Sequence, residues 1–207
     1  MRTPAEFRIV VLASGNGTNL QAILDRLHGR DGFAVVGVGS DKREARALRR
    51  AREAEVETAV FPREEFADRI ARDLAMGEWI AGLRPDLVVL AGYMQLLSPD
   101  FVGRFRDRIV NVHPALLPAF PGLDAVGQAL AAGAEVTGVT VHFVDEGVDT
   151  GPPILAREVP VPASRNREEL ESALHAVEHE LYPQAIRMLA RGEARIGADD
   201  LPRVADR

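Results

Sequence analysis

Phe7-Arg8-Ile9-Val10-Val11-Leu12-Ala13 runs without a break into Ser14-Gly15-Asn16-Gly17-Thr18-Asn19, and that junction constrains the fold more than any other stretch. A short apolar run rich in β-branched residues reads as a strand covered on both faces, as at the centre of a parallel sheet. After the glycine turn, Leu20, Ile23, Leu24 and Leu27 recur at helical spacing. Strand, glycine turn and helix form a nest whose backbone N–H groups can hold an anion at the helix N-terminus. The plainer alternative is that Gly15 and Gly17 only permit a tight turn, but Thr18 and Asn19 add donors or caps. No Lys follows the glycines and the spacing falls short of G-x-G-x-x-G, so this is neither a P-loop nor a dinucleotide fingerprint.

The same pattern repeats along the chain. Phe33 to Gly39 reads as a second strand, with Ser40-Asp41 expected to cap an Arg- and Glu-rich helix over about 43–54 whose charges form a solvated face. Thr58 to Phe61 is a short strand. Pro62 is expected to open one long helix reaching about Leu83, with Trp79 and Ile80 inward and Arg63 at its entry. Asp86 to Gly92 is another buried strand, followed by the apolar loop Tyr93-Met94-Gln95-Leu96-Leu97. That loop either packs under the next helix or walls a pocket for a flat, apolar ligand. Ser98-Pro99 starts a short helix, and a further helix covers about Ala125 to Ala132. Gly138 to Val144 alternates as a strand, Ile154 to Val161 is the last strand, and a final helix runs from about Arg167 to Ala190.

Ile109-Val110-Asn111-Val112-His113-Pro114 carries the chemistry. Residues two apart on a strand face the same way, so Asn111 and His113 project together. Pro114 disfavours a helical conformation at His113 and keeps the strand extended to its end. A carboxamide donor beside a titratable ring can hold an oxyanion and manage a proton. Asp149, in Val148-Asp149-Thr150-Gly151-Pro152, is expected at another strand end. The three groups could then converge beyond the carboxyl ends of two strands, where open α/β sheets bind ligands. His142 faces opposite to Val141 and Phe143 and reads as a buried, hydrogen-bonded residue rather than a catalyst.

Bulk properties narrow the function. A chain of 207 residues fits one domain, here 1–207 with a core over about 8–190 and a polar tail over 191–207. A net charge of −6 argues against a nucleic-acid binder driven by overall charge. The absence of cysteine removes disulfides, thiolate metal sites and a cysteine nucleophile. No signal peptide is visible, and no apolar run approaches the roughly 20 residues of a membrane span, so a cytoplasmic protein with no membrane partner is expected. The acidic loop Asp145 to Gly151 lacks EF-hand spacing. His175, Glu178 and His179 share a helix face without forming H-E-x-x-H, so no metal is expected.

Taken together, Ser14 to Ile23, Ala91-Gly92-Tyr93-Met94, Asn111 to Pro118, Val141 to Val144, Val148 to Pro152 and Glu178 to Pro183 closely resemble the phosphoribosylglycinamide formyltransferase family, in order and near spacing. The resemblance implies an α/β, Rossmann-like formyltransferase fold with a mostly parallel seven-stranded sheet flanked by helices. It implies transfer of a formyl group from 10-formyltetrahydrofolate, as cosubstrate, to the amine of glycinamide ribonucleotide in purine synthesis. By the same resemblance Asn111, His113 and Asp149 form the catalytic group. Gly17, Thr18 and Asn19 hold the ribonucleotide phosphate, and Glu178 contacts the other end of that substrate. Arg63, Met94, Gln95, Leu96, Leu97 and Asn111 border the folate, and the loop Asp145 to Asp149 closes over the pterin. The partners implied are these small molecules alone, with no nucleic acid, and with room for a homodimer. The sequence departs from many relatives at Gln95, where they place Arg, and at Leu123 to Gly127, a stretch often richer in His and Arg. A formyl-folate deformylase or a methionyl-tRNA formyltransferase would share the core. The first usually carries a preceding regulatory domain and the second an additional tRNA-binding domain with a basic surface.

Overall fold

The structure, a computed structural model, describes residues 6–196 and 202–204. Its elements in chain order are β1 Phe7–Leu12, α1 Thr18–Arg26, β2 Phe33–Ser40, α2 Arg46–Glu53, β3 Thr58–Val60, α3 Arg69–Gly82, β4 Leu87–Leu90, α4 Pro99–Arg104 and β5 Ile109–His113. There follow α5 Ala125–Ala131, β6 Val136–Phe143, β7 Pro153–Pro160, α6 Arg167–Ala190, β8 Ala194–Ile196 and β9 Pro202–Val204. Seven strands form one sheet in the order β3-β2-β1-β4-β5-β6-β7. The chain divides into two compact units, 1–110 and 111–207, with the boundary inside β5.

In the first unit β1 pairs in parallel with both β2 and β4, and β2 with β3. Ile9, Val10, Val11 and Leu12 are wholly inaccessible, as an apolar run buried on both faces should be. Glycine lets α3 lie close on β2. A Cβ at Gly37 would sit 2.4 Å from Leu83 Cδ1 and 3.0 Å from the Trp79 ring. In the second unit β6 and β7 pair antiparallel, the one observed pairing among these that departs from the parallel rule. The mostly parallel α/β sheet expected from the sequence is the one observed.

Three local expectations fail. Instead of one helix from Pro62, Arg63–Glu65 form a 3-10 turn. The backbone is extended at Phe66, and α3 starts only at Arg69, where the Asp68 side chain accepts the Ala71 N–H at 2.8 Å. That cap satisfies a donor the helix start would otherwise leave unpaired. Ser40 and Asp41 do not cap α2, which begins at Arg46 with no side-chain cap. Ser40 Oγ takes the Lys42 N–H instead, and Asp41 accepts from Gln95. Part of the expected polar tail forms the antiparallel pair β8–β9, with Ala194 buried; its residues 197–201 and 205–207 lie outside the described residues. Among the described residues, no helix is long and apolar enough to cross a membrane.

Candidate active site

β5 delivers Asn111 and His113 on the same side, as its two-residue period requires. Both side chains meet Asp149. His113 Nδ1 lies 3.3 Å from Asp149 Oδ2, and Asn111 Nδ2 donates to Oδ1 at 3.4 Å. The Gly122 N–H donates to Oδ2 at 2.8 Å. His142, on β6, brings Nε2 within 3.5 Å of Oδ1 and 3.2 Å of Asn111 Nδ2. The two imidazoles are buried, while Asn111 and Asp149 keep some exposure.

Asp149 reaches this position from the β6–β7 loop and not from a strand end, since β7 begins only at Pro153. Its backbone is left-handed, with φ 54°, a region that Asp tolerates better than most residues. Within that loop Asp145 Oδ1 accepts from the Gly147 N–H at 3.0 Å and from Thr150 Oγ1 at 2.7 Å. At Gly151 a Cβ would lie 1.9 Å from the Phe143 carbonyl oxygen, so only glycine lets the chain pass so near β6.

Hydrogen bonding sets what each ring can do. His113 Nε2 faces the Phe120 carbonyl at 2.8 Å. A carbonyl only accepts, so Nε2 carries a proton. Because Nδ1 faces a carboxylate, both nitrogens donate only when the ring is charged. His142 Nδ1 faces the Phe143 carbonyl at 2.7 Å and so carries a proton. Nε2 accepts from Asn111 in the neutral ring, whereas in the charged ring it donates to Asp149 Oδ1. Burial pushes the Asp149 carboxyl up. The His142 hydrogen bond, the Gly122 N–H and the charges of His113 and His142 outweigh it and hold the carboxyl below its ordinary range.

The other residues singled out in the sequence fall elsewhere. Gly17 stands in the left-handed conformation immediately before α1, which has no side-chain cap. A Cβ there would meet Ala47 of α2 at 2.8 Å. Arg50, also on α2, grips the turn by donating to the Asn16 carbonyl at 2.9 Å and to Gln21 Oε1 at 2.9 Å. Thr18 is half-buried and Asn19 buried. Arg63 lies exposed on its 3-10 turn. Met94 and Leu96 are each 61% exposed, whereas Gln95 turns inward. Leu97 is half-buried. Glu178 is buried on α6, and the rings of His175 and His179 stack with centroids 6.3 Å apart. Asp124 caps α5 and pairs with Arg167 at 2.7 Å. No group of three or more His, Asp or Glu among the described residues is arranged to hold a metal. His142 is the member of the cluster that the sequence reading left outside the site. Its burial was legible from the sequence, but the loop that brings Asp149 to it was not.

Residues 7–186 match the family described as formyl transferase. A phosphoribosylglycinamide formyltransferase of Haemophilus influenzae is 42% identical over 190 residues, covering 91% of this chain and 90% of that protein. One of Escherichia coli is 42% identical over 189 residues, covering 91% and 89%. The crystal structure of glycinamide ribonucleotide transformylase 1 from Symbiobacterium toebii superposes with a TM-score of 0.93 at 46% identity, covering 99% of this chain and 96% of that one. With the predicted sheet observed and the Asn–His–Asp cluster assembled, the chain belongs to the phosphoribosylglycinamide formyltransferase family.

Proposed function

We propose that the chain transfers the formyl group of 10-formyltetrahydrofolate to the amine of glycinamide ribonucleotide, with Asn111, His113 and Asp149 acting on the transferring carbonyl. The observation that supports this most directly is that an amide and an imidazole from one strand meet a single carboxylate 36 or more positions away, at 3.3–3.4 Å. When the amine nitrogen bonds to the formyl carbon, negative charge develops on the carbonyl oxygen. Asn111 is a donor for that oxygen, and a charged His113, whose two N–H groups face Asp149 and the Phe120 carbonyl, is a second one when either contact gives way to the substrate. A preorganised donor of this kind is worth about 2.7–4 kcal/mol. The amine must also lose a proton as the bond to the leaving nitrogen breaks. Asp149, held as a carboxylate, is the acceptor for it, directly or through one water, and returns it to the leaving nitrogen. His142 orients Asn111 and shares the charge of Asp149. The glycine turn at Gly17, Thr18 and Asn19 takes the phosphate, Glu178 contacts the same substrate, and Met94 to Leu97 offer apolar surface and main chain to the folate ring. We infer a cytoplasmic enzyme, since both substrates are small and soluble.

Folate product should form only when the ribonucleotide amine is present. Product released at an equal rate without the amine would mean hydrolysis, and the transfer reading would be wrong. For the phosphate, Gly17→Ala should raise the ribonucleotide KM by about tenfold or more, because the left-handed backbone and the Ala47 contact both oppose a side chain. The folate KM should stay within about twofold. Inorganic phosphate should compete with the ribonucleotide in the native enzyme; competition against folate instead would remove the turn from the phosphate site.

A further inference from the structure

An ion pair that the chemistry above leaves unused lies beneath the loop 93–97. Arg72 and Asp73, adjacent on α3, have side chains only 3% and 0% exposed. Burying two charges is costly, and apolar replacements of such pairs are often no less stable, so the pair needs a purpose beyond stability. Asp73 Oδ1 accepts from Arg72 Nε at 3.0 Å and Nη2 at 2.8 Å, and Oδ2 accepts the Ser98 N–H at 2.6 Å. Two further donors of Arg72 go to the loop. Nη1 donates to Gln95 Oε1 at 3.1 Å and Nη2 to the Leu96 carbonyl at 3.3 Å. Gln95 Nε2 then donates to Asp41 Oδ2 at 2.9 Å. Two arms of Arg72 therefore end on the loop, at Gln95 and at the Leu96 carbonyl, and Asp73 holds the Ser98 N–H just past it, while Met94 and Leu96 stay turned to solvent.

We infer that Arg72 and Asp73, acting through Gln95 and Asp41, are positioning residues for this loop, so that the chain recognises folate with a pre-set main-chain edge and not with the side chain at 95. This rests on the folate reading of the loop. Preorganisation of that kind lowers the ordering cost of binding and so acts on KM.

The test is steady-state kinetics of the full chain with Arg72→Lys, Gln95→Met and the double variant. Each single variant should raise the KM for 10-formyltetrahydrofolate by about tenfold, with kcat and the ribonucleotide KM within about twofold. The double variant should be no worse than the worse single one, because both break the same chain of contacts. Gln95→Met leaves the Arg72–Asp73 pair intact and keeps the proposal testable should Arg72→Lys fold poorly. Effects that multiply would show Gln95 touching folate independently and overturn the proposal. So would an unchanged folate KM, or equal losses for both substrates. If the unaltered enzyme shows no saturable dependence on formyl-folate, the folate reading itself falls.

Discussion

Asp149→Asn should lower kcat by about 10²–10⁴-fold while moving either KM little, since a proton acceptor contributes in that range and is used only as the reaction proceeds. Asn keeps the volume and can still accept the Gly122 N–H through its oxygen. It cannot take a proton at neutral pH, nor offset a charged imidazole at His113 3.3 Å away. A variant with near-normal kcat would remove Asp149 from the proton path. The pH dependence of stability gives a second readout. The folded carboxyl is held below its ordinary value despite burial, because His142, the Gly122 N–H and the charge of His113 prefer the ionised form. A depressed carboxyl contributes stability above the unfolded-state value of about 3.9, and the contribution is lost as pH falls through the lower folded value. The native enzyme should therefore exceed Asp149→Asn in denaturant stability at pH 7. The gap should close only below about pH 4. A gap that persists as pH falls well below that value would mean the Asp149 carboxyl does not govern it.

Some of this site was legible in the chain and some was not, for physical reasons. Asn111 and His113 could be paired because a strand has a two-residue period and Pro114 enforces it. The β1 run and its glycine turn were equally readable, since nothing local competes with a wholly apolar, β-branched segment. The arrival of Asp149 was harder to derive from the residues alone. It depends on a left-handed backbone at 149 and on the close pass at Gly151, neither of which periodicity encodes. His142 is buried and hydrogen-bonded as its position on the strand implies, but its partner was not legible. Alternation tells which way a side chain faces and not which carboxylate a loop will bring to it. Ser40-Asp41 had the composition of a helix cap, yet Gln95, distant in sequence, claims the Asp41 carboxylate. The β8–β9 pair escaped because Ala194-Arg195-Ile196 and Pro202-Arg203-Val204, unlike the equally short β3 within Thr58 to Phe61, interrupt their apolar residues with Arg and lie in a polar stretch.

Asn111→Leu is the complementary test, because it removes donors while keeping the branched outline of the side chain. Removing one donor to a developing oxyanion costs about 10²–10³-fold in kcat, and Asn111 is expected to fall there. The substitution also strips the amide from His142 Nε2 and Asp149 Oδ1, at 3.2 and 3.4 Å. Those contacts are long for hydrogen bonds, so the amide gives up little by turning one N–H to the substrate carbonyl as charge builds there. That is the property an oxyanion donor needs, since a contact stronger in the transition state than in the ground state accelerates the reaction. Asn111→Asp separates the two roles. It can still accept from a charged His142, but it cannot donate, and it places a second carboxylate beside Asp149. If donation is what matters, Asp at 111 should be at least as damaging as Leu when kcat is measured under saturation by both substrates. Recovery of activity in Asn111→Asp relative to Asn111→Leu would show that Asn111 serves only to hold His142, and the oxyanion role would have to pass to His113 alone.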